Sequence, residues 1–140
     1  MLRLPEPAYL ALVGHALDGF PLEACGLLAG VGDRVERFYP CRNAAASSKV
    51  YEIDPRDHLR ADRDAEAHDL ELVGVVHSHT HTDAYPSPTD VAQAPDPDWH
   101  YAIVSLRDGA PMLRSYRITG GIITEEPVVV ERRPASTIPD

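Results

Sequence analysis

Apolar residues at Tyr9, Leu10, Val13, Ala16, Leu17 and Phe20 recur at three- and four-residue intervals, which predicts an amphipathic helix over residues 5–18. Pro5 is tolerated in its first turn, and Gly19 stands just past its end as a stop. The period then changes. Residues 24–31 and 34–39 read as two strands joined at Gly32-Asp33, a hairpin signal. After a polar, small-residue loop at 43–49, residues 50–53 read as a short strand. Asp54-Pro55 opens a second helix, an N-cap followed by proline at the first helical position, running to about Asp69. Residues 72–77 are continuously apolar, the mark of a central strand. A short helix is expected over 89–94, ended by Pro95 and Pro97. Three strands follow at 100–106, 112–118 and 121–130, the first pair separated by Asp108-Gly109. Residues 131–140 show no periodicity and are expected to fray. Strands with interspersed helices make an α/β or α+β layered sheet.

Composition narrows the class. A chain of 140 residues is long enough for one core, so a single domain is expected over 1–133 with a frayed tail at 134–140. Apolar content of 44% and charged content of 25% are ordinary for a globular protein. No apolar run reaches membrane-spanning length. Pro5, Glu6 and Pro7 interrupt the stretch a secretion signal would need, so a cytoplasmic location is expected. Cys25 and Cys41 are too few for a disulfide framework; in a reducing compartment they are free, although a bridge is geometrically open if their strands pair. The net charge of −9 argues against nucleic acid as a partner, because phosphate binding needs a basic face.

Chemistry concentrates in residues 74–90, GVVHSHTHTDAYPSPTD, with the pattern H-x-H-x(7)-S-x-x-D. His77 and His79 are two apart, so on an extended backbone they leave the same face. With Asp90 they form a three-ligand set that leaves the fourth position of a tetrahedral zinc for water, the layout of a catalytic rather than a structural site. Two other readings stay open. His81 continues the alternate-residue series as a rival ligand, and Ser87-Pro88-Thr89-Asp90 is also a helix-start signature. Upstream, PLEACGLLAG places Glu23 just ahead of an apolar run; by itself it would be an exposed acid before a strand.

The early E-x-C-G-x-L-x-G segment together with the later HSH and S-x-x-D resembles the JAMM/MPN+ (Mov34/MPN/PAD-1) zinc metalloprotease family, in its small prokaryotic stand-alone form. The likeness runs from the leading helix to about Ile118. It implies a cytidine-deaminase-like, curved mixed β-sheet flanked by helices. It further implies Zn2+ held by His77, His79 and Asp90, with Glu23 acting as base and then acid and Ser87 steadying the oxyanion. Many relatives have proline after the second histidine where this chain has Thr80; Thr80 and His81 are candidates for contacting substrate at the rim. The implied substrate is the bond after the C-terminal Gly-Gly of a ubiquitin-like protein, first a sulfur carrier joined to cysteine and second a modifier on protein lysines. A silent MPN scaffold would typically lack one or more of these metal residues. A zinc nucleobase deaminase would need H-x-E and P-C-x-x-C, and neither is present.

Overall fold

In the computed structural model, which describes residues 1–132, the chain opens with β1 (Leu2–Pro5) and turns at once into α1 (Glu6–Gly19). The hairpin β2 (Cys25–Val31) and β3 (Arg34–Cys41) follows, then α2 (Pro55–Ala67). β4 (Glu71–His79), α3 (Pro88–Ala92), β5 (His100–Ser105), β6 (Met112–Thr119), β7 (Ile122–Glu126) and β8 (Val128–Glu131) complete it. The strands form one mixed sheet in the order β7-β6-β5-β4-β2-β3-β1-β8. β4 lies near its centre, antiparallel to β2 and parallel to β5. The buried run anticipated at 72–77 extends to His79, so both histidines belong to the strand itself.

Three expectations about the strands are corrected. β1 escapes the periodicity because four residues are too few to show alternation. It exists through parallel pairing with β8 and β3, which buries Leu2 and Leu4 completely, each worth about 1.5–3 kcal/mol. The strand expected at 50–53 is only a single antiparallel bridge between Asn43 and Ile53. The strand expected at 121–130 is two strands parted at Pro127, which has no N–H to give a ladder. Since β7 and β8 stand at opposite ends of the strand order yet only Pro127 separates them, the sheet curls until its edges approach. Glu131 closes β8, while the tail expected at 134–140 lies outside the described residues.

Each face of the sheet has its own core. α1 covers Leu28, Val76, Ala102 and Val104 on one side. It does so with Ala8, Leu12 and Ala16, flanked by Val13, and leaves Leu10, Leu17 and Phe20 exposed, so the buried stripe shares only Val13 and Ala16 with the one read from the sequence. The helix is apolar nearly all round, and two alanines on one side let it lie closest to the sheet. The other face carries Leu27, Val75, Tyr101 and Ile103 under α2, Tyr51 and the loop before β5. α2 starts as its sequence predicts: the Asp54 side chain accepts from the backbone N–H of Arg56 and Asp57, and Pro55 follows. Cys25 and Cys41 lie opposite each other in β2 and β3 as buried free thiols, and burial pushes both up to about 12. No helix among the described residues is long and apolar enough to cross a membrane.

Candidate metal centre

Alternation along β4 sets Val75, His77 and His79 on one face, with Cys25 and Ile103 beside His77 and Ser105 beside His79. Asp90 reaches the same point from α3. Its helix is capped as the sequence signature predicts, with Ser87 Oγ accepting from the Asp90 N–H at 3.1 Å and Asp90 Oδ2 accepting from the Ser87 N–H at 2.9 Å. That same Oδ2 lies 3.2 Å from His77 Nε2 and 3.1 Å from His79 Nε2, and the two nitrogens are 3.1 Å apart. Capping and convergence are therefore not rivals: the cap aims the carboxylate.

The donor set fits a cation. His79 Nδ1 lies 2.7 Å from the Asp83 carbonyl, which can only accept, so Nδ1 carries the proton and Nε2 presents its lone pair inward. In its neutral form the His79 nitrogen and Asp90 Oδ2, 3.1 Å apart, are both acceptors and repel unless a positive charge sits between them. Tetrahedral zinc with bonds of about 2.0 Å would space its ligands about 3.3 Å apart, close to the separations found. All three side chains are buried. Burial pushes the His77 imidazole down, favouring its neutral, ligating form. Burial also pushes the Asp90 carboxyl up, but the two imidazoles against its Oδ2 and the Ser87 backbone N–H outweigh it and hold the group well below the carboxylate range.

Glu23 stands in the connection between α1 and β2, 4% exposed, with Oε1 buried and without a hydrogen-bond partner among the described residues. Burial raises its carboxyl to about 7; the charge of His79 lowers it and that of Asp90 raises it. A buried carboxylate oxygen left unpaired costs free energy, so something absent from the polypeptide is owed to it. Water on a cation at the neighbouring cluster would meet that need. Ser87 is half-buried, and because its Oγ accepts from Asp90 its own O–H is free to donate.

His81 points away as an exposed side chain whose ring lies 5.8 Å from that of Phe20, and it is not in the cluster. Thr80 is buried, with its hydroxyl 3.4 Å from the Ser48 carbonyl and 2.8 Å from His81 Nδ1. Two neighbours were not singled out by sequence. Tyr51 stacks on His77 with centroids 4.3 Å apart, and Ser78, pointing to the opposite face, accepts from the Ala24 N–H at 2.8 Å. Only the serine left a hint, sitting between the two histidines. A groove of about 370 Å³ lined by Leu27, Tyr51, Ile53, Val75, Trp99 and Tyr101 runs from the stacked tyrosine along the same face.

Residues 5–119 match the family described as prokaryotic homologs of the JAB domain. The chain is 50% identical over 126 residues to the CysO-cysteine peptidase of Mycobacterium tuberculosis, covering 87% of this chain and 86% of that protein. It is 35% identical over 137 residues to the desampylase of Haloferax volcanii, covering 93% and 96%. A solved JAB1/MPN domain protein from Archaeoglobus fulgidus superposes with a TM-score of 0.60 at 19% identity, over 92% of this chain and 99% of that one, a likeness of fold.

Proposed function

This chain belongs to the prokaryotic JAB domain family, and from that premise we propose that it is a zinc peptidase that releases cysteine from the C-terminal Gly-Gly of a ubiquitin-like sulfur carrier protein. The observation that carries the reading is the unpartnered Glu23 oxygen beside the convergent His77, His79 and Asp90. Half-identity with a CysO-cysteine peptidase over most of both chains supports the substrate class.

His77, His79 and Asp90 hold the metal in this reading. Bound zinc would supply an activated water and polarise the scissile carbonyl. Glu23, raised to about 7 by burial, takes the water's proton near neutral pH and returns it to the leaving amine. Ser87 donates its free O–H to the developing oxyanion; loss of such a donor typically costs about 10²–10³ in turnover. The apolar groove supports an extended carrier tail lying along the sheet face, with glycines where the backbone must come closest to the metal. A second reading, removal of a ubiquitin-like modifier from protein lysines, is favoured by the likeness to the relative named desampylase.

The test is incubation of zinc-loaded protein with a Gly-Gly carrier joined to cysteine, or to a lysine side chain, with and without chelator, read by mass spectrometry. Chelator-sensitive release of cysteine, lost when Gly-Gly becomes Ala-Ala, is expected. Cleavage of the Ala-Ala carrier at an equal rate would overturn the substrate assignment, and release that survives metal removal would overturn the metal assignment.

A further inference from the structure

The side chain proposed as proton carrier has little to hold it. Glu23 lies outside regular structure, and its Oε1 touches no donor among the described residues. Its placement therefore depends on its backbone, and there the structure is specific. The peptide linking Glu23 to Ala24 is gripped on both edges by side chains: Asn43 Nδ2 donates to the Glu23 carbonyl at 2.9 Å, and Ser78 Oγ accepts the Ala24 N–H at 2.8 Å. Holding one peptide plane on both edges restrains the torsion that aims the Glu23 side chain.

Asn43 does more than make one bond. Its second N–H donates to the Val50 carbonyl at 3.0 Å, and its Oδ1 accepts from the N–H of Ala45 and of Glu52, each at 3.0 Å. Two donors and two acceptors exhaust what a carboxamide offers. These bonds tie the two ends of loop 43–53 together, and the same loop supplies the Ser47 carbonyl that accepts the Glu23 N–H at 2.8 Å. No other side chain has this donor–acceptor pair at this length; aspartate, equal in shape, accepts but cannot donate.

We infer that Asn43 is the positioning residue for Glu23, fixing its backbone and the loop behind it without touching substrate or metal. The inference deepens the proposed function and rests on Glu23 being the proton carrier. Asn43→Asp leaves shape intact and removes both donated bonds; Ser78→Ala removes the bond on the other edge of the same peptide.

The first measurement needs no activity. In metal-free protein, amide hydrogen exchange at Glu23 and Ala24 is expected to quicken by roughly tenfold or more in Asn43→Asp, because the loop and peptide that hold these amides against Ser47 and Ser78 loosen, while Val75 and Val76 in the sheet stay protected. Unchanged exchange at Glu23 and Ala24, or equal quickening throughout the sheet, overturns the inference. The second measurement is kinetic. Asn43→Asp should lower kcat by about 10- to 100-fold with KM within roughly threefold and zinc still at one per chain, and Ser78→Ala should act alike. In a Glu23→Gln background, Asn43→Asp should cost less than about threefold, because the group it positions is already silent. A full additive loss there, or loss of zinc, would show that Asn43 merely supports the fold. If wild-type protein cleaves no carrier adduct, the substrate reading falls while the exchange result still decides the positioning role.

Discussion

Two buried histidine–carboxylate clusters stand at opposite ends of the same strands. β4 and β5 are in register from Gly74 beside His100 to His79 beside Ser105, so five residues, about 16 Å of strand, separate them. At one end His100, fully buried, lies with Nδ1 2.7 Å from Glu126 Oε2, Ser115 Oγ donates to that oxygen at 2.7 Å, and Arg117 Nε reaches Oε1 at 3.2 Å. Both carboxylate oxygens are satisfied. At the other end two imidazole nitrogens and a carboxylate oxygen converge at 3.1–3.2 Å, and Glu23 Oε1 has no partner among the described residues. The residue types are much the same in both places. Complete pairing makes the first a clasp where the sheet edges meet; incomplete pairing leaves the second asking for a cation and a water.

The comparison breaks most visibly at the proposed ligands. His77→Ala or Asp90→Asn should bring zinc content and hydrolysis to background while metal-free stability holds or rises, since a buried polar cluster is relieved. Elemental analysis with thermal unfolding of chelator-treated protein checks this; zinc retained at wild-type level would end the parallel. Next in size, Glu23→Gln should keep zinc and lose about 10²–10⁴ in kcat, because an amide cannot take a proton. The same variant should unfold at a higher temperature, as an unpaired buried carboxyl gives way to a neutral group.

At the clasp the signs reverse. Glu126→Ala should cost about 3–5 kcal/mol by leaving the buried His100 without its carboxylate partner, yet folded protein should turn over as wild type does. Denaturant titration against kcat separates the two; a fall in kcat at full folding would refute the division of labour. The clasp also sets an acid limit. Burial pushes the Glu126 carboxyl up, but hydrogen bonds from His100, the Met1 ammonium and Ser115 outweigh it and hold it at about 2, below an ordinary value of 4.5. Its folded value is depressed, so its contribution, up to about 3 kcal/mol, is complete above 4.5 and is lost as pH falls through about 2. Glu126→Gln should flatten that part of the stability–pH curve. Smallest, Tyr51→Leu should lower zinc affinity by only a few-fold, the scale of one ring stacked on His77 at about 0.5–1.5 kcal/mol.

What the sequence determined by itself is local. The apolar run that becomes β4, the two histidines on one of its faces, the Asp54-Pro55 helix start and the Ser87–Asp90 cap each depend on a few consecutive residues, so spacing alone exposes them. The tertiary structure decided the rest. Which stripe of α1 is buried depended on how closely two alanines let it approach the sheet, and a nearly all-apolar helix carries no mark of that choice. β1 needed a partner more than 120 residues away, and Pro127 sent β7 and β8 to opposite edges. Glu23 reads as an exposed acid until Ser78, 54 residues beyond Ala24, and Asn43, 20 residues beyond Glu23, take hold of its peptide and bury it. Periodicity and capping act within a turn or a pleat, whereas the placement of a buried carboxyl is set by hydrogen bonds between segments that meet only once the sheet has closed.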